Sequence, residues 1–180
     1  HGENEGAEGG FTLGFQTENE AVVRKGFTLL KKTYNIETGT ALKEREMQEL
    51  LAKVGDLERP VSPLLLKNAC CRRAFLRGAF LAVGSMSDPA KGYHLEFDCS
   101  DGARAEQVQE LIKGFGIESK VILRKKYHVV YLKEGSGIVD LLNVFEAPVS
   151  LMNLENLRIL KEMRNSVNRR VNCETANIAK

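Results

Sequence analysis

Phe11, Leu13 and Phe15 alternate with Thr12, Gly14 and Gln16, the period of two that marks a strand with one buried face. After a turn the apolar spacing changes. Ala21, Val22, Phe27, Leu29, Leu30 and Tyr34 supply one side of a helix, with Asn19 placed to cap it. The same switch returns later, where Tyr93, Leu95 and Phe97 predict a strand, Asp101 a cap, and Ala105, Val108, Leu111 and Ile112 a helix. Overlaid, Leu13 falls on Leu95, Phe15 on Phe97, Ala21 on Ala103, Leu29 on Leu111 and Lys31 on Lys113. With a one-residue gap, Ile36 and Glu37 fall on Ile117 and Glu118. The chain therefore reads as an internal duplication of helices and antiparallel strands, an α+β fold.

After the second copy, KVILRKKYHVVYL predicts a β-hairpin with Arg124 to Lys126 near its turn, and SGIVDLLNVF a short helix. In the first half the matching short helix is EMQELLAKVG, but no hairpin stands between Gly39 and Ala41, so the first copy is incomplete, through degeneration or through missing residues. The two prolines of DLERPVSPLLLK mark a connector, after which a helix runs from Cys70 to Val83. A last helix is expected from about Leu151 to Asn168, where Leu151, Leu154, Leu157, Ile159, Leu160, Met163 and Val167 form a nearly helical stripe. At the other end, HGENEGAEGG has almost nothing to bury. The expected layout is a disordered tail over 1–10, a degenerate first repeat over 11–58, a linker over 59–69, a second repeat over 70–150, and a basic C-terminal helix over 151–180.

A chain of 180 residues is long enough to bury a core without disulfides. Cys70 and Cys71 are adjacent, a poor geometry for pairing, and Cys99 and Cys173 stand alone, so a reduced, cytoplasmic setting is expected. No zinc-ligand spacing occurs among the cysteines and His1, His94 and His128, and neither a metal nor a cofactor is expected. No apolar run approaches the roughly 20 residues of a membrane span. Net charge is +2, but it is unevenly spread. Glu3, Glu5, Glu8, Glu18 and Glu20 make the start acidic. Lys67, Arg72, Arg73 and Arg77 form one acid-free run, and Lys120, Arg124, Lys125, Lys126 and Lys133 another. Runs of this kind suit an anionic partner as well as a solvated face.

Ala74, Gly78 and Ala82, four residues apart, line one face of the Cys70–Val83 helix and would let another backbone approach closely. The stretch from Leu76 to Ser85, LRGAFLAVGS, resembles the LAGLIDADG motif of homing endonucleases, in which two such helices pack together and an acid before the final glycine holds the metal at the scissile phosphate. Here that position is Val83, and the other acidic position is Leu81. Phosphodiester hydrolysis by this route needs hard oxygen ligands for Mg²⁺, and valine has no lone pair to give. Asp88, beyond the helix, reads as a turn residue. The segments CCRRAFLRGAFLAVGSMSDPAKGYHLEF, YHVVYLKE and KEMRNSVNRRVNCETANIAK further resemble the WhiA family of bacterial regulators, known in sporulation and cell division. Its members carry a catalytically dead LAGLIDADG-like domain followed by a helix-turn-helix domain. The resemblance is strong from Asn68 to Lys180 and weaker in TENEAVVRKGFTLLKKTYNIE. In the family a first LAGLIDADG-like helix lies upstream of the position of Phe11 and the helix-turn-helix follows that of Lys180; these 180 residues contain neither.

The resemblance implies a saddle-shaped sheet and a DNA-binding transcription regulator without nuclease activity, located in the cytoplasm at the nucleoid. A protein-docking module that meets other regulators or RNA polymerase components is the alternative, and a sensor of a small anion a third. If Tyr93, Leu95 and Phe97 face the helices, Glu96 and Asp98 face outward with His94 and would repel phosphates. The candidate contacts to duplex promoter DNA are therefore Arg72, Arg73, Arg77, Arg124, Lys125 and Lys126. Arg77 is equally suited to pairing with a carboxylate of the other half. Asn165 and Asn168, beside Arg164, Arg169 and Arg170, form a second candidate array, suited to phosphates or base edges, with capping of the long helix as the plainer reading. The Ala74, Gly78 and Ala82 face predicts a close helix partner, and a homodimer through it is expected.

Overall fold

The computed structural model describes residues 19–34 and 60–178. The predicted tail over 1–10, the strand at Phe11 to Phe15 and the short helix EMQELLAKVG lie outside those residues. The chain divides into two compact units, 1–65 and 66–180. In the first, helix α1 (Glu20–Tyr34) begins where Asn19 predicts it, and the Asn19 Oδ1 accepts a hydrogen bond from the Ala21 N–H at 3.0 Å.

The second unit opens with helix α2 (Ala69–Val83), followed by strands β1 (Gly84–Met86) and β2 (Leu95–Cys99) and helix α3 (Gly102–Lys113). The hairpin of β3 (Lys120–Arg124) and β4 (Tyr127–Leu132) comes next, then α4 (Gly135–Val144) and α5 (Pro148–Ile178). The antiparallel sheet is open, in the order β1-β2-β4-β3. Sequence patterning misses β1. Three residues are too few to show a period, and β1 exists because Gly84, Ser85 and Met86 pair with Phe97, Glu96 and Leu95. Gly84 is required at that junction, since a Cβ there would run into the ring and carbonyl oxygen of Phe80. Asp88 closes a turn, its carboxylate accepting from the Ala90 N–H at 2.9 Å.

Period-two alternation sorts the strands into two faces. Leu95, Phe97 and Cys99 on β2 and Val130 and Leu132 on β4 point to the helices and are buried. Phe97 meets Phe80 of α2 edge-on at 5.7 Å and Phe145, just after α4, at 6.3 Å. Leu76, Val108, Ile112, Ile138, Leu141 and Leu154 complete this core, each side chain worth roughly 1.5–3 kcal/mol of burial. Asp101 caps α3 as its position predicts, accepting from the Arg104 N–H at 2.9 Å. The helix stops at Gly114, and Gly116, at φ 78°, takes a left-handed conformation that favours glycine.

The last helix is longer than its apolar stripe suggests. It starts at Pro148, which suits a first turn, and continues through the polar residues after Asn168 to Ile178. Leu154 is its one buried residue, and Lys161 ties it down by donating to the Pro89 carbonyl at 2.6 Å above the Tyr93 ring. Tyr93 itself precedes β2 and lies outside the strand assigned to it from sequence.

Candidate nucleic-acid interface

Three surfaces of the second unit carry the candidate residues. The first is α2. Arg72 and Arg73 both lie against the Phe115 ring, at 5.7 and 5.6 Å from its centre, and Arg72 also donates to the Lys67 carbonyl at 3.3 Å. Arg77 donates to the Phe145 carbonyl at 3.2 Å and to Glu146 Oε2 at 2.7 Å. That hydrogen bond and the Arg77 charge hold the Glu146 carboxyl below the usual carboxylate range. Arg77 is thus paired, as one sequence reading allows, but its carboxylate belongs to its own half of the chain rather than to the other. All three arginines brace α2 against the segments that end α3 and α4.

The opposite side of α2 is not covered by the described residues of its own unit. Ala74, Gly78 and Ala82 are exposed, and a Cβ added at Gly78 meets nothing within 4 Å. Leu81 and Val83, at the motif's acidic positions, are 49% and 43% exposed. This side of the helix is therefore a small apolar surface. Among the described residues no group of three or more His, Cys, Asp or Glu side chains could hold a metal ion.

The second surface is the outer face of the sheet, formed by Ser85, Glu96, Asp98, Lys120, Ile122, Arg124, Tyr127, Val129 and Tyr131. Its centre is an ion cluster. Arg124 donates twice to Glu96, at 3.2 and 3.0 Å, and the His94 ring nitrogen lies 2.8 Å from the same carboxylate. Burial alone would push the Glu96 carboxyl up, but the hydrogen bonds from His94 and Arg124, with their charges, outweigh it and hold it below the ordinary range. To reach β2 from β3 the Arg124 side chain crosses β4, and Val129, which points to this face, is completely buried. Glu96 and Asp98 do face outward, as the alternation predicts. The expected repulsion is moderated because Arg124 neutralises Glu96 and lies close enough to Asp98 to feel its charge. Lys125 and Lys126 form the hairpin turn, with Lys125 at φ 56°, and the Lys126 Nζ sits 5.3 Å from the Tyr127 ring centre. Sequence reading passed over Tyr127 and Tyr131. The alternation in YHVVYL, which places both on one face, was the available signal.

The third surface is the distal half of α5. Arg164, Asn165, Asn168, Arg169 and Arg170 are all exposed. Among the described residues none of the five is engaged in an ion pair or hydrogen bond, in contrast to Arg72, Arg77 and Arg124. The helix continues ten residues past Asn168, so these amides do not cap its end.

Comparison with known proteins bears on these surfaces together. Residues 72–164 match the model of the WhiA LAGLIDADG-like domain. A protein named probable cell division protein WhiA from Lachnoclostridium phytofermentans is 51% identical over 92% of this chain and 61% of its own length. Its namesake from Alkaliphilus metalliredigens is 43% identical over 91% of this chain and 60% of its own. The chain thus spans about three-fifths of the curated relatives it matches. A crystal structure of full-length DUF199/WhiA from Thermatoga maritima is similar in fold, with a TM-score of 0.62 and 22% identity, covering 87% of this chain and 55% of that one. None of these relatives is named as an enzyme.

Proposed function

We propose that this chain, which belongs to the WhiA family, is the LAGLIDADG-like part of a DNA-binding transcription regulator of cell division and sporulation, and that it grips duplex DNA without cutting it. One observation carries the reading: the exposed, unengaged Arg164, Asn165, Asn168, Arg169 and Arg170 share one stretch of a long helix, while the arginines of α2 and the sheet are committed to partners inside the protein. Arginine beside amide side chains is the donor set that phosphates and base edges accept. Loss of chemistry follows from Val83 and Leu81, which offer no oxygen to Mg²⁺. The working site is the cytoplasm, at the nucleoid, consistent with no described helix being long and apolar enough to cross a membrane.

Fluorescence-anisotropy titration of duplex DNA at several salt concentrations tests this. Each phosphate contact contributes about 0.9 to the slope of log affinity against log salt, so replacing Arg164, Arg169 and Arg170 by Gln lowers the slope by about 2 to 3. Replacing Arg72 and Arg73 changes it little. The reverse ranking would move the DNA surface to α2 and overturn the assignment.

A second reading is favoured by the α2 face of Ala74, Gly78 and Ala82 with Leu81 and Val83, which suits a closely packed helix. That helix would come from a second copy of the chain or from another component of the transcription machinery. A strictly monomeric mass by light scattering would count against the homodimer.

A further inference from the structure

The open face of the sheet holds more than its ion cluster. Tyr127 and Tyr131 stand on β4, an inner strand, and both point outward. Four residues apart on one strand, they are separated by about 13 Å. The His94 ring, just before β2, lies 5.9 Å from that of Tyr131, tilted by 34°, and extends the aromatic surface. Each tyrosine has a lysine at its ring: Lys133 Nζ is 5.2 Å from the centre of Tyr131, and Lys126 Nζ is 5.3 Å from that of Tyr127. Lys120 pairs in register with Tyr131 from the edge strand and is exposed. Between the two rings the Arg124 guanidinium crosses the sheet, and guanidinium planes, like aromatic rings, stack on bases.

We infer that this face binds single-stranded nucleic acid, with bases stacked on Tyr131 and Tyr127 and the backbone phosphates held by Lys120, Lys126 and Lys133. Every base has a flat face, so two aromatic platforms flanked by cations on flexible stems recognise unpaired strands of many sequences. A duplex does not fit as well. Its bases are already stacked, and its continuous phosphate ridge would meet Glu96 and Asp98, whereas a single strand can place bases over the polar centre and phosphates along the lysines. The carboxylates limit the site without abolishing it: Glu96 is satisfied by Arg124 and His94, and cations outnumber acids among the residues named on this face.

A cleft of about 880 Å³ opens beside Tyr131 and supplies a second feature that the fold does not explain. Lys113, Lys120 and Lys133 line it with the carboxylates of Glu110, Glu118, Glu134 and Asp140, and the Ser119 hydroxyl oxygen is buried at its wall with no hydrogen-bond partner among the described residues. Donors and acceptors mixed in this way suit the edge of a splayed-out base, with carboxylates able to accept from amino groups. This site is independent of the duplex-binding role given to α5.

The test uses the 180-residue chain and fluorescently labelled oligo-dT and oligo-rU of about ten nucleotides, within the site sizes single-strand binders cover. Salt-sensitive binding is expected to at least one of them, and the two arms separate DNA from RNA. Tyr131→Ala and Tyr127→Ala should each weaken binding roughly 5- to 150-fold, while Tyr131→Phe, which keeps the ring, binds like the parent chain. Lys133→Gln should reduce the salt slope by about 0.7. A thermal melt checks each variant; if Tyr131→Ala fails to fold, Tyr127→Ala decides, since that ring is already 40% exposed. Absence of binding to both oligonucleotides overturns the inference, and so does binding that both tyrosine substitutions leave intact. Loss of single-strand binding in the Arg164, Arg169 and Arg170 variant alone would assign that activity to α5 and would equally overturn it.

Discussion

The two faces of the sheet in the second unit come from the same strands, yet they meet their surroundings in opposite ways. On the helix side, Leu95, Phe97, Val130 and Leu132 are covered by α2, α3 and α4, and stability rests on close packing. On the outer side only Val129 is fully buried, beneath a charged side chain, and Ile122 and Tyr127 are 41% and 40% exposed. Only the outer side leaves side chains free to meet a partner. A packed apolar face tolerates few changes, whereas a face built on one ion cluster and two exposed rings can exchange partners at small cost to the fold.

The largest expected effect is on the packed side. Phe97→Ala should lower unfolding free energy by about 3–5 kcal/mol in urea denaturation, whereas Tyr127→Ala should cost less than about 1 kcal/mol. Equal losses would mean that the outer face is packed as tightly as the inner one.

A smaller effect sharpens the picture of the outer face. Arg124→Ala should lower the unfolding free energy by clearly less than Phe97→Ala does, because solvent screens the exposed guanidinium while Glu96 keeps its partial burial and loses its main cation. The same pair gives a pH dependence with a definite sign. The Glu96 carboxyl has a folded pKa below its unfolded value of about 4.3, so its contribution is fully present above that pH and is lost as pH falls through the lower folded value. Acid titration of the melting temperature should show this loss in the parent chain and a weaker one in Arg124→Ala.

The smallest effect concerns α2, which has its own packed and open sides. Gly78→Ala adds a methyl group into free space and improves helix propensity, so a gain of about 0.5–1 kcal/mol is expected. A loss instead would show that another backbone rests on the Ala74, Gly78 and Ala82 face in solution.

Much of the second unit was readable from residue order, because its determinants are local. Asp101 capping α3, the turn at Lys125 and Lys126, and the alternation of Leu95 and Phe97 each act within a few residues. What escaped notice depends on residues far apart in sequence. Strand β1 exists through its pairing with β2, and Arg77 is committed by Glu146, 69 positions away. Arg124 likewise looks like a free cation in RKK until the fold carries Glu96 to it. Among the described candidate arginines, Arg72, Arg73, Arg77 and Arg124 have partners inside the protein, whereas Arg164, Arg169 and Arg170 on the distal α5 have none. The length of that helix was underestimated because its last turns bury nothing.

The claim that this domain holds DNA without cutting it is tested most directly by titrating the chain into labelled duplex DNA, at low and moderate salt, with and without Mg²⁺, and running the same samples on a denaturing gel. Binding that weakens with salt, with strands that stay whole at every Mg²⁺ concentration, is the expected result. Cleaved strands would contradict the reading of Val83, and absence of binding at low salt would contradict the reading of α5.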